Sequence, residues 1–523
     1  MIRCRLFLLI LFFGMMVSSS GQGRQKDQGD PPLRIEIPAK SDKETYRIIP
    51  CDTAGMILFF RSIEVADGNQ VKWYFSFYDK NLKLIWTRSI PLLSDQDYFD
   101  HQIIDDTLSM LFVHTGNTPR SGVTAFEILR VSLVQGIFIL NTGNVPVDGD
   151  VAAFGIRDDN AWLGINIKGK AGQIGHLRLS SGIFNTFQSG IGNSITIPWI
   201  RPDSLGNTVF AIVSRKVAKK TTEYYLVSYD SAGKIRNEIS LHVNTVGQAL
   251  SHFQYREINP GTGIIVGSYG QETATTKQKI KETEELTGLF TASVANRSLK
   301  SISFYNFLEL KNVSSLLTEK DMSNLIKKSS KKNKELKDFS VSFSLLLHDI
   351  IPWKDQYIVI AEIYAPQYHT ENFTEIDYYG RPYTNSYSVF DGYQFINAIV
   401  TGFSHEGKLL WDNVLEIRNL VSFDLTAKVS SFFSGDDLVL CYLSDGRIGS
   451  KIIQGDKVIE KSDFSPLELM FDEDKLLSES RSRIVPWYGN NFLAYGYQEI
   501  KNIALTGNNK RLVFFFSKVK FEK

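Results

Sequence analysis

Ile49-Pro50-Cys51, Ile197-Pro198-Trp199, Ile351-Pro352-Trp353 and Val485-Pro486-Trp487 repeat one phrase: a β-branched residue, a proline and a bulky apolar residue. Three copies are followed within a few residues by an apolar run, at Met56 to Phe60, Tyr357 to Ile360 and Phe492 to Ala494; after Trp199 the run comes later, at Val209 to Val213. A phrase that returns at long period marks a repeat architecture, in which each unit buries its apolar face against a neighbour. Proline donates no hydrogen bond to a sheet ladder, so it belongs at a strand end or edge. Set between the first and second strands of a repeated sheet, each proline obeys that rule. Trp199, Trp353 and Trp487 are then expected to pack between adjacent units, the alternative being a docking platform for a flat cofactor.

A second series gives the register. Apolar-alternating strands begin at Tyr74, Phe126, Gly175, Tyr224, Leu289, Asn397, Ser450 and Val513. Three of them run into a full polar turn and a further strand, over residues 78–86, 229–235 and 403–411, with Asp, Asn, Ser and Gly supplying the side-chain bonds and positive φ of a tight hairpin. The distance from the repeated proline to this strand is 24 residues at Pro50, 26 at Pro198 and 27 at Pro486. Two independent rulers thus agree on an all-β, eight-bladed β-propeller, whose blades are four-stranded antiparallel sheets; seven blades plus a separate cap is the alternative. The last blade has three strands of its own, at 482–486, 491–498 and 511–521. Residues 33–37 are expected to add the fourth and close the ring, leaving no open sheet edge.

The N-terminus reads as a signal peptide over 1–21: Arg3 and Arg5, an apolar stretch from Leu6 to Val17, then Ser18-Ser19-Ser20-Gly21. Residues 22–32 read as a flexible N-terminus and 33–521 as one propeller domain, exported to the periplasm, the envelope surface or the medium. No later segment is long and apolar enough to span a bilayer as a helix. Removing Arg3 and Arg5 takes the formal charge from +1 to −1, which argues against nucleic acid as a partner. Cys51 and Cys441 are read as two buried thiols or one bridge. With no CxxC or HxxxH spacing, no metal site is expected.

Three insertions break the register: 271–285, 314–338 and 364–395. The first reads as a solvated excursion. The second has a Thr318/Asp321 capping pattern, Met322, Leu325 and Ile326 on one helical face, and seven lysines between Lys320 and Lys337. It reads as a short helix, either solvated on the rim or basic and partner- or membrane-binding. The third is expected to be an aromatic loop cap, with ten aromatics in 32 positions and polar groups interleaved. Tyrosine combines a stacking face with a hydroxyl, which suits protein and glycan partners. Tyr368, His369, Glu375, Asp377, Tyr378, Tyr379, Arg381, Tyr383, Tyr387, Asp391 and Tyr393 are its candidate partner-binding residues. The alternative is a cap whose rings fill only a small core of their own. His348 and Asp349 are candidate channel-facing residues, either an acid–base pair or a polar pair satisfied by nearby backbone.

No sialidase-type Ser-x-Asp-x-Gly-x-Thr-Trp box and no Gly-x-Ser-x-Gly elbow is present. No cofactor is expected, although Glu406-Gly-Lys-Leu-Leu-Trp411 echoes the outer strand of quinone dehydrogenases. In architecture the chain resembles quinoprotein-like and WD40-like propellers. Through Leu347-His-Asp-Ile-Ile-Pro352, Tyr379-Gly-Arg-Pro-Tyr383, Phe390-Asp-Gly-Tyr393 and Gly407-Lys-Leu-Leu-Trp-Asp412 it resembles exported propeller proteins of Gram-negative envelopes. That resemblance implies export and a propeller, and carries over no catalytic residue. The expected function is non-catalytic binding of a protein or glycan through 364–395; the alternative is a carbohydrate-active enzyme with channel-facing carboxylates.

Overall fold

A computed structural model describes residues 33–521 apart from 41–44, 67, 115–122, 147, 193–194, 204–206, 219–220, 242–247, 272–284, 314–318, 333–340, 377 and 505–508. The signal-peptide and flexible N-terminal readings, most of the first insertion and Asp377 lie outside the described residues. Eight antiparallel sheets follow one another along the chain, at 47–93, 96–146, 149–188, 195–240, 248–306, 344–422, 430–466 and 474–520. Seven are built in sequence order. The eighth takes its outer strand, Arg34–Pro38, from the N-terminus, paired antiparallel to Lys510–Lys520. The protein is an eight-bladed β-propeller closed by a shared blade, and the seven-bladed alternative falls.

Both sequence rulers land on fixed positions. All eight strand starts fall in the third strand of a blade, and the four prolines lie in the first strands of blades one, four, six and eight. Pro50, Pro352 and Pro486 sit opposite Met56, Tyr357 and Phe492 at the strand ends, while Pro198 lies inside an irregularity between Thr196 and Trp199. The tryptophans then reach the next blade. The Trp487 Nε1 donates to the Gly55 carbonyl (2.7 Å), Trp199 meets the edge of Tyr255, and Trp353 stacks on Phe433 with centroids 3.5 Å apart.

The turns after the third strands of blades one, four and six share one geometry. Asp79 and Asp230 each accept, through Oδ1, backbone N–H bonds from residues two and four further on, and Ser404 does the same through Oγ. The fourth residue of each turn is left-handed: Leu82 (φ 59°), Gly233 (79°) and Gly407 (80°). Leu82 is unusual there, since a Cβ disfavours this conformation. It is buried beside Met56, Trp487 and Phe514, where its side chain fills the seam between blades eight and one.

The closing strand is held by charge as well as by its ladder. Arg34 bonds Gln498 (2.7 Å) and Glu36 (2.9 Å), and Arg511 joins Glu36 (2.9 Å) to Asp474, which it grips with two bonds of 2.9 and 2.5 Å. Cys51 and Cys441 lie in blades one and seven as free, buried thiols, so the bridge is not formed. The second insertion supplies a helix at Glu319–Lys332; Leu325 is half-buried and Ile326 exposed, Asp321 falls in the first turn, and Thr318 lies outside the described positions.

Candidate functional site

Antiparallel order within each blade sends the second-to-third turns and the blade-to-blade links to one face of the ring. The remaining turns go to the other. All three insertions are of the first kind: 271–285 and 364–395 interrupt second-to-third turns, and 314–338 a blade-to-blade link. Blades five and six therefore carry every large excursion on the same face.

The third insertion is strand, where sequence reading expects a loop cap. Gln356–Ile376 and Pro382–Ser404 pair from Gln356↔Ser404 to Ile376↔Pro382, with register shifts at Ile363/Tyr364 and Gln367/Tyr368. Blade six's first strand stops pairing at Tyr364, and its fourth stops at Tyr393. Beyond that point a two-stranded ribbon projects alone, roughly 30 Å long at about 3.3 Å per residue. The Thr, Tyr, Phe and Val content of 368–390 suits this extended state, and the two-residue alternation gives the ribbon unlike faces.

One face carries His369, Glu371, Phe373 and Glu375 across from Val389, Tyr387, Asn385 and Tyr383. Phe373 meets Tyr387 edge to face at 5.6 Å, while Glu375 accepts from the Tyr383 hydroxyl (2.6 Å) and the Asn385 amide (2.8 Å). His369 lies between Asp391 (2.5 Å) and Glu371 (3.2 Å), whose hydrogen bonds raise its pKa. The other face is small and polar, with Thr370, Asn372, Thr374, Ser386 and Ser388. At the tip Tyr378 and Tyr379 are 97% and 82% exposed, with Arg381 beside them. Tyr368 and Tyr393 belong to the foot, on either side of Phe390 at 5.5 and 5.0 Å. The candidates thus divide into a foot, an acidic aromatic face and an exposed tip, and the ribbon's rings do not form an enclosed core.

His348 and Asp349 go to different partners. The His348 Nε2 lies 2.6 Å from Glu362, a fully buried carboxylate that also accepts the Lys428 and Val429 backbone N–H groups. Asp349 reaches Arg201 of blade four at 3.7 Å. The two do not form an acid–base pair. Asp100, from blade two, feels Asp349 within the ring; burial first, and Asp349 in addition, raises its carboxyl pKa. Glu362 had a sequence signal, a lone carboxylate inside the apolar run 357–363. Asp100 and Arg201 had none, because nothing local distinguishes a channel-facing strand residue from a solvent-facing one. Among the described residues no cluster of His, Cys, Asp and Glu has metal-site geometry, and no helix is long and apolar enough to cross a membrane.

No protein-family model matches the chain, and no curated protein matches it. Among solved structures it is similar to the polysaccharide lyase Uly1 (TM-score 0.37, 8% identity, 81% of this chain and 89% of that one). It is similar also to a prolyl endopeptidase (TM-score 0.36, 9% identity, 89% of this chain and 54% of that one). A third is the β-propeller domain of the Trilobed protease from Pyrococcus furiosus (TM-score 0.32, 7% identity, 81% of this chain and 95% of that one). Likeness at this level bears on neither activity nor ligand; the eight sheets themselves define the class.

Proposed function

We propose that the protein is an exported, non-catalytic propeller of a Gram-negative envelope that binds a protein or glycan partner through the 364–395 ribbon. The observation that carries this reading is a projecting ribbon that keeps Phe373, Tyr378, Tyr379, Tyr383 and Tyr387 between 44% and 97% exposed. Exposed apolar surface of this kind costs solubility and marks interaction sites, and tyrosine and phenylalanine rings supply large contact area at small entropic cost. Replacing 368–390 by a tight turn is expected to leave the thermal midpoint within about 1 °C, since no blade seam is touched. It should abolish capture of partner from envelope extracts and binding on glycan arrays; capture that survives the trimming refutes the reading.

A second reading rests on Asp100 and Asp349, two carboxylates from opposite blades, of which the first is raised by burial and, in smaller part, by the second. It makes the protein a carbohydrate-active enzyme with the channel as its site. Turnover of a polysaccharide panel that is lost in both Asp100→Asn and Asp349→Asn would favour it, and the absence of turnover by the parent would remove it.

A further inference from the structure

Two oppositely charged surfaces stand on the same face of the ring and leave each other unpaired. The ribbon carries Glu371 and Glu375 along one strand, with Phe373 between them and Asp391 at the base. Its one base on this side, His369, is bracketed by Asp391 and Glu371, so the surface keeps a net negative charge. The helix Glu319–Lys332, in the link from blade five to blade six, presents the opposite sign. Lys320, Lys327 and Lys331 are exposed, and spacings of seven and four residues put them on one stripe. The half-buried Leu325 lies on the far side of the helix, so the stripe is turned to solvent. These three lysines make no ion pair or ring contact among the described residues. The carboxylates of Glu371, Glu375 and Asp391 meet only groups of the ribbon itself.

The two surfaces match in spacing and in chemistry. Glu371 and Glu375 are roughly 13 Å apart along an extended strand. Along the helix Lys320 is roughly 10 Å from Lys327 and roughly 16 Å from Lys331, differences that flexible lysine stems absorb. An ammonium laid over Phe373 or Tyr387, which meet edge to face, gains a cation–π contact as well. A helix footprint of roughly 21 Å by 10 Å buries on the order of 500 Å² over both sides, too little for a specific interface alone. Ribbon and helix share one face of the ring, so a two-fold axis can bring each ribbon to the other copy's helix at once. The two contacts together bury about 1,000 Å², the low end of specific interfaces.

We propose that the ribbon's acidic aromatic face docks on the lysine stripe of a second copy of this chain, giving a reversible two-fold dimer. This rests on the ribbon being the binding surface and names a second copy as its partner. The test is sedimentation equilibrium of the whole protein at about 100 µM, in about 50 mM and about 1 M salt, between which the screening length falls from above 10 Å to about 3 Å. Expected are a dimer at low salt and self-association at least tenfold weaker at high salt. Glu371→Lys with Glu375→Lys, and separately Lys327→Glu with Lys331→Glu, should each leave a monomer with the thermal midpoint of the parent. Mixing these two variants should restore a dimer at low salt, since each ribbon then meets a helix of opposite sign. A parent that stays monomeric at low salt, a parent dimer that survives high salt or either paired change, or a mixture of the two folded variants that stays monomeric overturns the proposal. If the parent is monomeric while trimming 368–390 still abolishes capture from envelope extracts, the ribbon binds a different partner and only the self-docking falls.

Discussion

Removing one guanidinium should loosen the whole ring. Arg511 sits between Glu36 on the N-terminal strand and Asp474 on the first strand of the last blade; the carboxylate side chains are 6% and 0% exposed. Arg511→Met leaves Asp474 only the bonds from Asn502 and the Phe471 N–H, and leaves Glu36 only Arg34. Breaking a buried pair from one side costs about 3–5 kcal/mol. Arg511 is itself 29% exposed, so water relieves part of this and the low end, about 3 kcal/mol, applies. With about 2.1 cal/mol/K per residue over roughly 490 folded residues, the unfolding entropy is about 1 kcal/mol/K, and the midpoint should fall by about 3 °C. Scanning calorimetry reads this directly. Replacing the pair outright, as Arg511→Met with Asp474→Leu, should cost less than Arg511→Met alone, since the stranded carboxylate is gone. Burial raises the Asp474 carboxyl, but the Arg511 and Asn502 bonds outweigh it and hold the pKa below the ordinary value. Its stabilisation is therefore present above the unfolded carboxyl pKa and lost as pH falls through the folded one. Arg511→Met should accordingly begin acid unfolding at a higher pH. A midpoint unchanged within about 0.5 °C, or a double variant worse than the single, would refute the account of the latch.

Three further outcomes are expected. Trp487→Ala should cost about 3–5 kcal/mol in urea unfolding, because it empties the seam between blades eight and one and strands the Gly55 carbonyl. Burial drives the His101 imidazole down to about 4, so its contribution to stability is full above about 6.5 and is lost as pH falls toward 4; His101→Gln should flatten that stretch of the urea-midpoint profile. Burial pushes the Cys51 and Cys441 thiols up to about 12, so Ellman's reagent should reach neither of these two at pH 8 until the protein unfolds.

The fold was legible because blade chemistry is local. Proline at a strand end, an Asp or Ser that closes a five-residue turn on itself, and alternating apolar strands each act over ten residues or fewer. Their repetition set the register, and even Leu82, where a glycine was to be expected, kept the turn because its side chain is needed in the seam. The ribbon was half legible. Aromatic density in 364–395 singles the segment out, but an insertion this long in a blade reads as a loop cap, although its β-branched and aromatic alternation favours a strand. His348 and Asp349 are adjacent in sequence and so read as a pair. On the folded chain, a carboxylate 14 residues on and an arginine two blades away claim them instead.

What the sequence determined by itself was the number of blades, the seams, the closing strand and the segment that leaves the scaffold, all of which follow from hydrogen-bonding rules and side-chain alternation along a short stretch of chain. Only the tertiary structure decided which charges meet. The latch of Arg34, Glu36, Asp474 and Arg511 joins opposite ends of the chain within the closing blade, and the contact of Asp349 with Arg201 joins different blades. Their energies depend on burial and distance in a closed ring, quantities that no stretch of sequence carries.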